Sequence, residues 1–152
     1  MNPRRRALTL VVCPAIVLAV VGCQSTPARP DVASGRDGVF IHITRGPEDP
    51  HALLMALKMA SLMATDRDVL VYVDLKGVEA VTKDAPDVVF PPFESSRTQI
   101  AGLLAKGVPI YVCPGCLKAL NRKPGDLMPG LRIAEKEAFF SFTKGRILTL
   151  DY

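Results

Sequence analysis

The chain has 152 residues, 49% of them hydrophobic but only 6% aromatic, with no tryptophan and four cysteines. That length accommodates one domain with a single core rather than two. The formal charge of +4 rests on Arg4, Arg5 and Arg6; without them 16 basic residues face 15 acidic ones, a net of +1. With no interleaving of aromatic and basic residues either, a nucleic-acid-binding function is excluded.

Met1 to Arg6 is basic, and Ala7 to Val21 is apolar with Pro14 inside it. This is the pattern of a secretory signal, too short to span a bilayer, for which about 20 apolar residues are needed. The run ends in Val20-Val21-Gly22-Cys23, which resembles the lipobox of bacterial lipoproteins. The resemblance implies that residues 1–22 are removed and that Cys23 is acylated. The protein is then held on the lipid bilayer of the cell envelope, facing the periplasm. The arginine run is also similar to a twin-arginine signal, which leaves the export route open. Residues 23–37 are polar and rich in Pro, Ser and Gly and read as a flexible tether, so the folded domain is assigned to residues 38–152. Cys13 leaves with the signal and Cys23 carries lipid, so Cys113 and Cys116 remain as the pair available for chemistry. In an oxidising compartment such a pair tends toward a disulfide unless a partner reduces it.

Within the domain, Val39 to Thr44 is apolar at nearly every position and predicts a strand covered on both faces. His42 inside it reads as a core or turn-proximal histidine, not a ligand. Asp49-Pro50 is a cap-and-proline helix start, and the helix runs to about Ala64. Its water-facing stripe is narrow, consisting of Leu54, Lys58, Ser61 and Thr65. So apolar a helix in a small domain predicts a subunit interface and hence a homo-oligomer. Met55, Met59 and Met63 recur at every fourth position, which reads as adaptable packing in preference to a soft-metal ladder. Val69 to Val73 predicts a second strand, followed by Asp74 to Val78. The proline-interrupted segment Glu79 to Phe93 predicts a lid over the sheet edge. A helix from Ser95 to Lys106, with Ile100, Leu103 and Leu104 on one face, stops at Gly107. After the strand Val108 to Val112 come a loop at Lys123 to Gly130, a short strand Leu131 to Ile133, a short helix Glu135 to Phe142 and a closing strand Arg146 to Tyr152. Strands alternating with helices predict an α/β fold: a mostly parallel sheet of about five strands with helices on both faces, in a flavodoxin-like layering.

Cys113-Pro114-Gly115-Cys116 falls at the carboxyl end of the Val108 to Val112 strand. In an open α/β sheet this is the edge where ligands bind. A helix starting near Cys116 would favour a thiolate over a thiol. Thiol chemistry is one reading of the pair; a structural disulfide or an incidental pair in a turn is the other. Zinc is disfavoured, because one pair supplies two ligands and His42 and His51 lack finger spacing.

Three local features resemble the DsrE/DsrF-like sulfur-relay family. They are the strand ending in Asp74-Leu75-Lys76-Gly77-Val78, the run Gly107-Val108-Pro109-Ile110-Tyr111-Val112-Cys113, and the C-terminal Arg146-Ile147-Leu148-Thr149-Leu150. The resemblance covers the whole domain. It implies a persulfide carrier with sulfur on the cysteine after this strand, a sulfur donor or acceptor protein as partner, and a trimer or hexamer. It implies neither a cofactor nor a metal. Carried onto this chain, Cys113 is the sulfur nucleophile and Cys116, beyond the Pro114-Gly115 turn, the resolving thiol. The opposing consideration is that Cys116 lies nearer the expected helix start. The exported location departs from the mostly cytoplasmic relay proteins. Two alternatives therefore remain beside the carrier: a thiol-disulfide redox protein of the envelope working with a thiol reductant, and a non-catalytic anchored binding subunit with a structural cystine.

Overall fold

The computed structural model describes residues 35–152. The expected signal sequence, Cys23 and the expected tether up to residue 34 lie outside the described residues. Five strands, β1 (Gly38–Ile43), β2 (Asp68–Val73), β3 (Ile110–Val112), β4 (Arg132–Ile133) and β5 (Ile147–Asp151), form one all-parallel sheet in the order β4-β3-β2-β1-β5. They are connected through α1 (Pro50–Met63), α2 (Ser96–Ala105), α3 (Pro114–Ala119) and α4 (Ala138–Ser141). The architecture is thus the expected α/β sheet.

Its topology explains how the two faces differ. The first three crossovers each step one strand in the same direction, and a right-handed crossover then puts α1, α2 and α3 on the same face. The side chains agree. Val39, Ile41, Ile43, Val69, Val71, Val73, Ile110 and Val112 share one buried cluster with Leu53 and Leu57 of α1, Ile100 and Leu103 of α2 and Leu117 of α3. Only the last crossover returns past β1. Its short helix α4 covers the second face, where Phe139 packs edge-on against Phe40 and Tyr72.

Local chemistry sets the helix ends. The Asp49 carboxylate accepts the Ala52 N–H at 3.1 Å and Pro50 opens α1; Ser95 caps α2 at the Thr98 N–H. Gly107, at φ 76°, stops the chain after α2 in the left-handed conformation that favours glycine. Leu54, expected to face water, is fully buried. The reason is that α2 lies alongside α1, with the Gln99 amide reaching the Leu54 carbonyl at 3.4 Å.

The segment expected to be a lid is strapped to the body. Ala80, Val81, Ala85 and Val88 are buried, Thr82 forms a bridge with Leu127, and Arg97 donates to the carbonyls of Lys83 and Ala85. Prolines prevent regular structure there, yet Ala80, Val81, Ala85 and Val88 enter the core, while Val89 and Phe90 stay exposed. The two residues ahead of Gly38 also bond to the body. Asp37 pairs with Arg146 at 2.6 Å, and the Arg36 carbonyl accepts the Thr143 hydroxyl.

Candidate active site at the carboxyl edge of the sheet

All five strands end at one edge, and β2 and β3 deliver the reactive groups there. Val73 pairs with Val112, so the residues that follow, Asp74 and Cys113, lie side by side, and the Cys113 N–H donates to the Val73 carbonyl at 2.9 Å. Side chains alternate along a strand, which puts Cys113 on the same face as Tyr72 and Tyr111. Pro114 begins α3 immediately, making Cys113 itself the residue that caps the helix, and its sulfur accepts the Cys116 N–H at 3.5 Å. The expected helix start near Cys116 is therefore displaced by two residues, because proline suits a first helical position. The helix-start consideration that favoured Cys116 now favours Cys113.

Both cysteines are free thiols and half-buried. Their environments differ. Burial raises the Cys113 pKa, but hydrogen bonding from the Tyr72 hydroxyl and from the Cys116 and Gly115 N–H groups outweighs it, and the net effect is a value below that of an ordinary thiol. For Cys116, burial also raises the pKa, the Leu75 N–H opposes it, and the neighbouring Cys113 and Asp74 add to the rise, leaving a net increase. Thiolates are the nucleophilic form, so the pair is asymmetric, with Cys113 the first to ionise. Tyr72 itself is shifted upward by burial and by the adjoining Cys113. It keeps its proton while the thiol ionises and acts as a donor.

The position of Cys116 depends on a tight corner after β2. The Leu75 N–H donates to Cys116 Sγ at 3.2 Å, and Leu75 takes a left-handed φ of 43° at the start of the 3₁₀ turn Leu75–Ala80. Gly77 makes the corner possible: a Cβ there would lie 2.7 Å from the Ile43 carbonyl oxygen and 2.9 Å from the Val73 side chain.

A polar network adjoins the pair on the same face. His42 Nε2 lies 3.0 Å from Asp74 Oδ1 and His42 Nδ1 lies 2.8 Å from Asp151 Oδ1, while the ring stacks on Tyr72 at 5.4 Å between centroids. Burial lowers the His42 pKa, but the two carboxylates more than offset it and the net shift is upward. Tyr72, Asp74 and Asp151 were not singled out from the sequence. A signal was present: in β1, β2 and β3 the second face carries His42, Tyr72 and Tyr111, each with a polar tip, in strands that otherwise read as apolar throughout.

The sulfurs meet solvent on an open surface, with Pro114 and Gly115 exposed between them. The larger clefts lie elsewhere. One of about 390 Å³ at the amino edge is lined by Arg36, Arg67, Lys106 and Arg132, and one of about 460 Å³ lies beside Asp84, Leu120 and Arg122. The first is far from the carboxyl edge, where parallel sheets present reactive groups.

No protein-family model matches the chain, and no curated protein matches it. Solved structures do. A protein of unknown function, MTH1491 from Methanobacterium thermoautotrophicum, is 20% identical with a TM-score of 0.51, over 76% of this chain and 99% of that one. The ychN protein from E. coli is 14% identical with a TM-score of 0.56, over 76% of this chain and 98% of that one. At these identities the likeness is one of architecture, and the chain has the DsrE-like α/β fold.

Proposed function

We propose that this protein is a sulfur carrier of the sulfur-relay type in which Cys113 bears the transferred sulfur. The observation that supports this reading above all is the asymmetry of the pair: Cys113 lies against Tyr72 and two backbone N–H groups that favour its thiolate, while Cys116 is held in the thiol form. The Cys113 thiolate attacks the outer sulfur of a polysulfide or protein persulfide. A new S–S bond forms to Cys113, the donor S–S bond breaks, and the shortened donor leaves as a thiolate or shorter polysulfide. An acceptor thiolate then attacks the outer sulfur and regenerates the Cys113 thiolate. Alternatively, Cys116 attacks the inner sulfur. The Cys113–Cys116 disulfide forms, hydrosulfide leaves, and a thiol reductant restores the pair.

The second reading is a thiol-disulfide redox protein, favoured by the seating of Cys113 Sγ against the Cys116 amide one turn away. Mass spectrometry after exposure to polysulfide separates the two. A gain of one sulfur on Cys113, retained in Cys116→Ser where no disulfide can resolve it, supports the carrier; loss of two hydrogens from the wild-type pair with no sulfur gained by Cys116→Ser supports the redox protein; and an inert sample removes both in favour of an anchored binding subunit. In a comparison of Cys113→Ser and Cys116→Ser, sulfur loading is lost only in the first. Loading lost only in the second reverses the roles.

Anchoring through acylated Cys23 at the periplasmic side of the envelope, and assembly into a homo-oligomer, belong to the same proposal. Leu62 at the end of α1 and Ile147 and Leu148 on the edge strand are exposed; buried in a contact between copies, they would contribute favourably.

A further inference from the structure

Across the second face the register aligns Asp151 with His42, His42 with Tyr72, and Tyr72 with Tyr111. His42 lies in the middle of this row and meets a carboxylate at each ring nitrogen, Asp151 at 2.8 Å and Asp74 at 3.0 Å. A neutral imidazole has one N–H, so two carboxylates are matched only by the imidazolium. Nε2 and Asp74 Oδ1 are both buried and neither has a partner of hydrogen-bonding angle, each other included; their 3.0 Å approach is that of an ion pair. Without it the Asp74 carboxylate would be left uncompensated in a poorly solvated place.

The consequences of that charge run in two directions. Asp74 leads into Leu75, whose N–H holds Cys116 Sγ. The imidazole face carries the Tyr72 ring at an interplanar angle of 24°; Tyr72 shares the second face with Cys113, and its hydroxyl contributes to lowering the Cys113 pKa. His42 thus adjoins the supports of both sulfurs while bonding to neither. The charged or titratable groups facing it are Asp74 and Tyr72 from β2 and its end, and Asp151 from β5; Phe40 on its own strand contributes an apolar edge.

We propose that His42 is a positioning residue for the thiol pair: as an imidazolium fixed between Asp74 and Asp151, it holds the Asp74-Leu75 corner against Cys116 and the Tyr72 ring against Cys113. The proposal rests on the assignment of Cys113 as the nucleophile. Its role is electrostatic as well as steric, since the imidazolium offsets a carboxylate that would otherwise oppose ionisation of the sulfurs.

The test uses the full chain and iodoacetamide, with the alkylated cysteine identified by fragmentation in the mass spectrometer. No sulfur donor is involved, so failure here is distinct from failure of sulfur loading. In His42→Gln the midpoint of Cys113 alkylation against pH moves upward, and the rate near neutrality falls by roughly three- to tenfold, tenfold corresponding to a midpoint about one pH unit higher. Adding Asp74→Asn to His42→Gln removes the unpaired carboxylate and returns the midpoint toward wild type, a rescue that a purely structural role would not give. A folded His42→Gln protein, by circular dichroism, with a wild-type midpoint overturns the proposal. So does a displaced midpoint that Asp74→Asn leaves where it was. Should His42→Gln not fold, Asp151→Asn decides. That carboxylate is 67% exposed, and its loss shifts the midpoint in the same direction by a smaller factor, whereas no shift rejects the role.

Discussion

Cys116 Sγ accepts the N–H of Leu75 across a sequence separation of 41 residues, whereas Cys113 Sγ accepts the N–H of Cys116 in its own turn. Each sulfur therefore has its own backbone donor, one supplied by the corner after β2 and one by the start of α3. Cys113 takes its backbone donor from its own turn, and Cys116 takes its donor from the corner after a different strand. These backbone donors lie on separate structural elements that can be perturbed one at a time.

Tyr72→Phe keeps the ring against His42 and Phe139 and removes only the hydroxyl. The Cys113 alkylation midpoint is expected to rise, and a midpoint one pH unit higher would slow the reaction near neutral pH about tenfold. Stability should change by no more than about 1 kcal/mol. Alkylation profiles and urea unfolding measured side by side check this. An unchanged midpoint would show that the hydroxyl is not the group that acidifies Cys113.

Gly77→Ala places a methyl group against the Ile43 carbonyl and the Val73 side chain. A loss of roughly 1–3 kcal/mol is expected from overpacking, measurable in urea. Because Leu75 shares the turn, the seat of Cys116 loosens too, and Cys116 is expected to alkylate faster relative to Cys113. Destabilisation without any change in that ratio would mean the corner does not control Cys116.

His42 also makes stability depend on pH. Its folded-state pKa is raised above its ordinary 6.5, so the folded protein binds the proton more tightly than the unfolded chain. The stabilising contribution is fully present below about 6.5 and is lost as pH rises through the higher folded value. Urea midpoints recorded from pH 6 to 9 should fall in wild type across this window and fall less in His42→Gln. Parallel curves for the two proteins would contradict the assignment.

Cys23→Ser tests the anchor. The variant is expected to leave the membrane fraction or to remain unprocessed after export. Processing and membrane retention equal to wild type would mean that Cys23 carries no lipid.

Light scattering on the detergent-solubilised chain tests assembly. A trimer or hexamer is expected, and Leu62→Glu, on the exposed end of α1, is expected to shift the population toward monomer while leaving the buried core untouched. A wild-type monomer at micromolar concentration would remove the oligomer from the proposal.

Residue order alone determined the alternation of strands and helices, the cap at Asp49, the stop at Gly107 and the place of Cys113 at a strand end. These follow from hydrophobic period, from side chains bonding nearby N–H groups and from backbone freedom, all of them local. Tertiary structure decided what lies beside what. Leu54 is buried because α2 lies on it, a contact that no single-helix pattern contains. Glu79 to Phe93 is fastened to the core by Arg97 and Leu127, from elsewhere in the chain. His42 could be seen in its strand, but its raised pKa comes from Asp74 and Asp151, the latter 109 residues away and brought in by the return of β5 to the edge beside β1. Cys113 and Cys116 could be read as a pair from their spacing, while the difference between them required Tyr72 and Leu75. Electrostatic identity depends on distances of a few ångströms, and in a parallel sheet those distances are set by strand order and register, which local sequence does not encode.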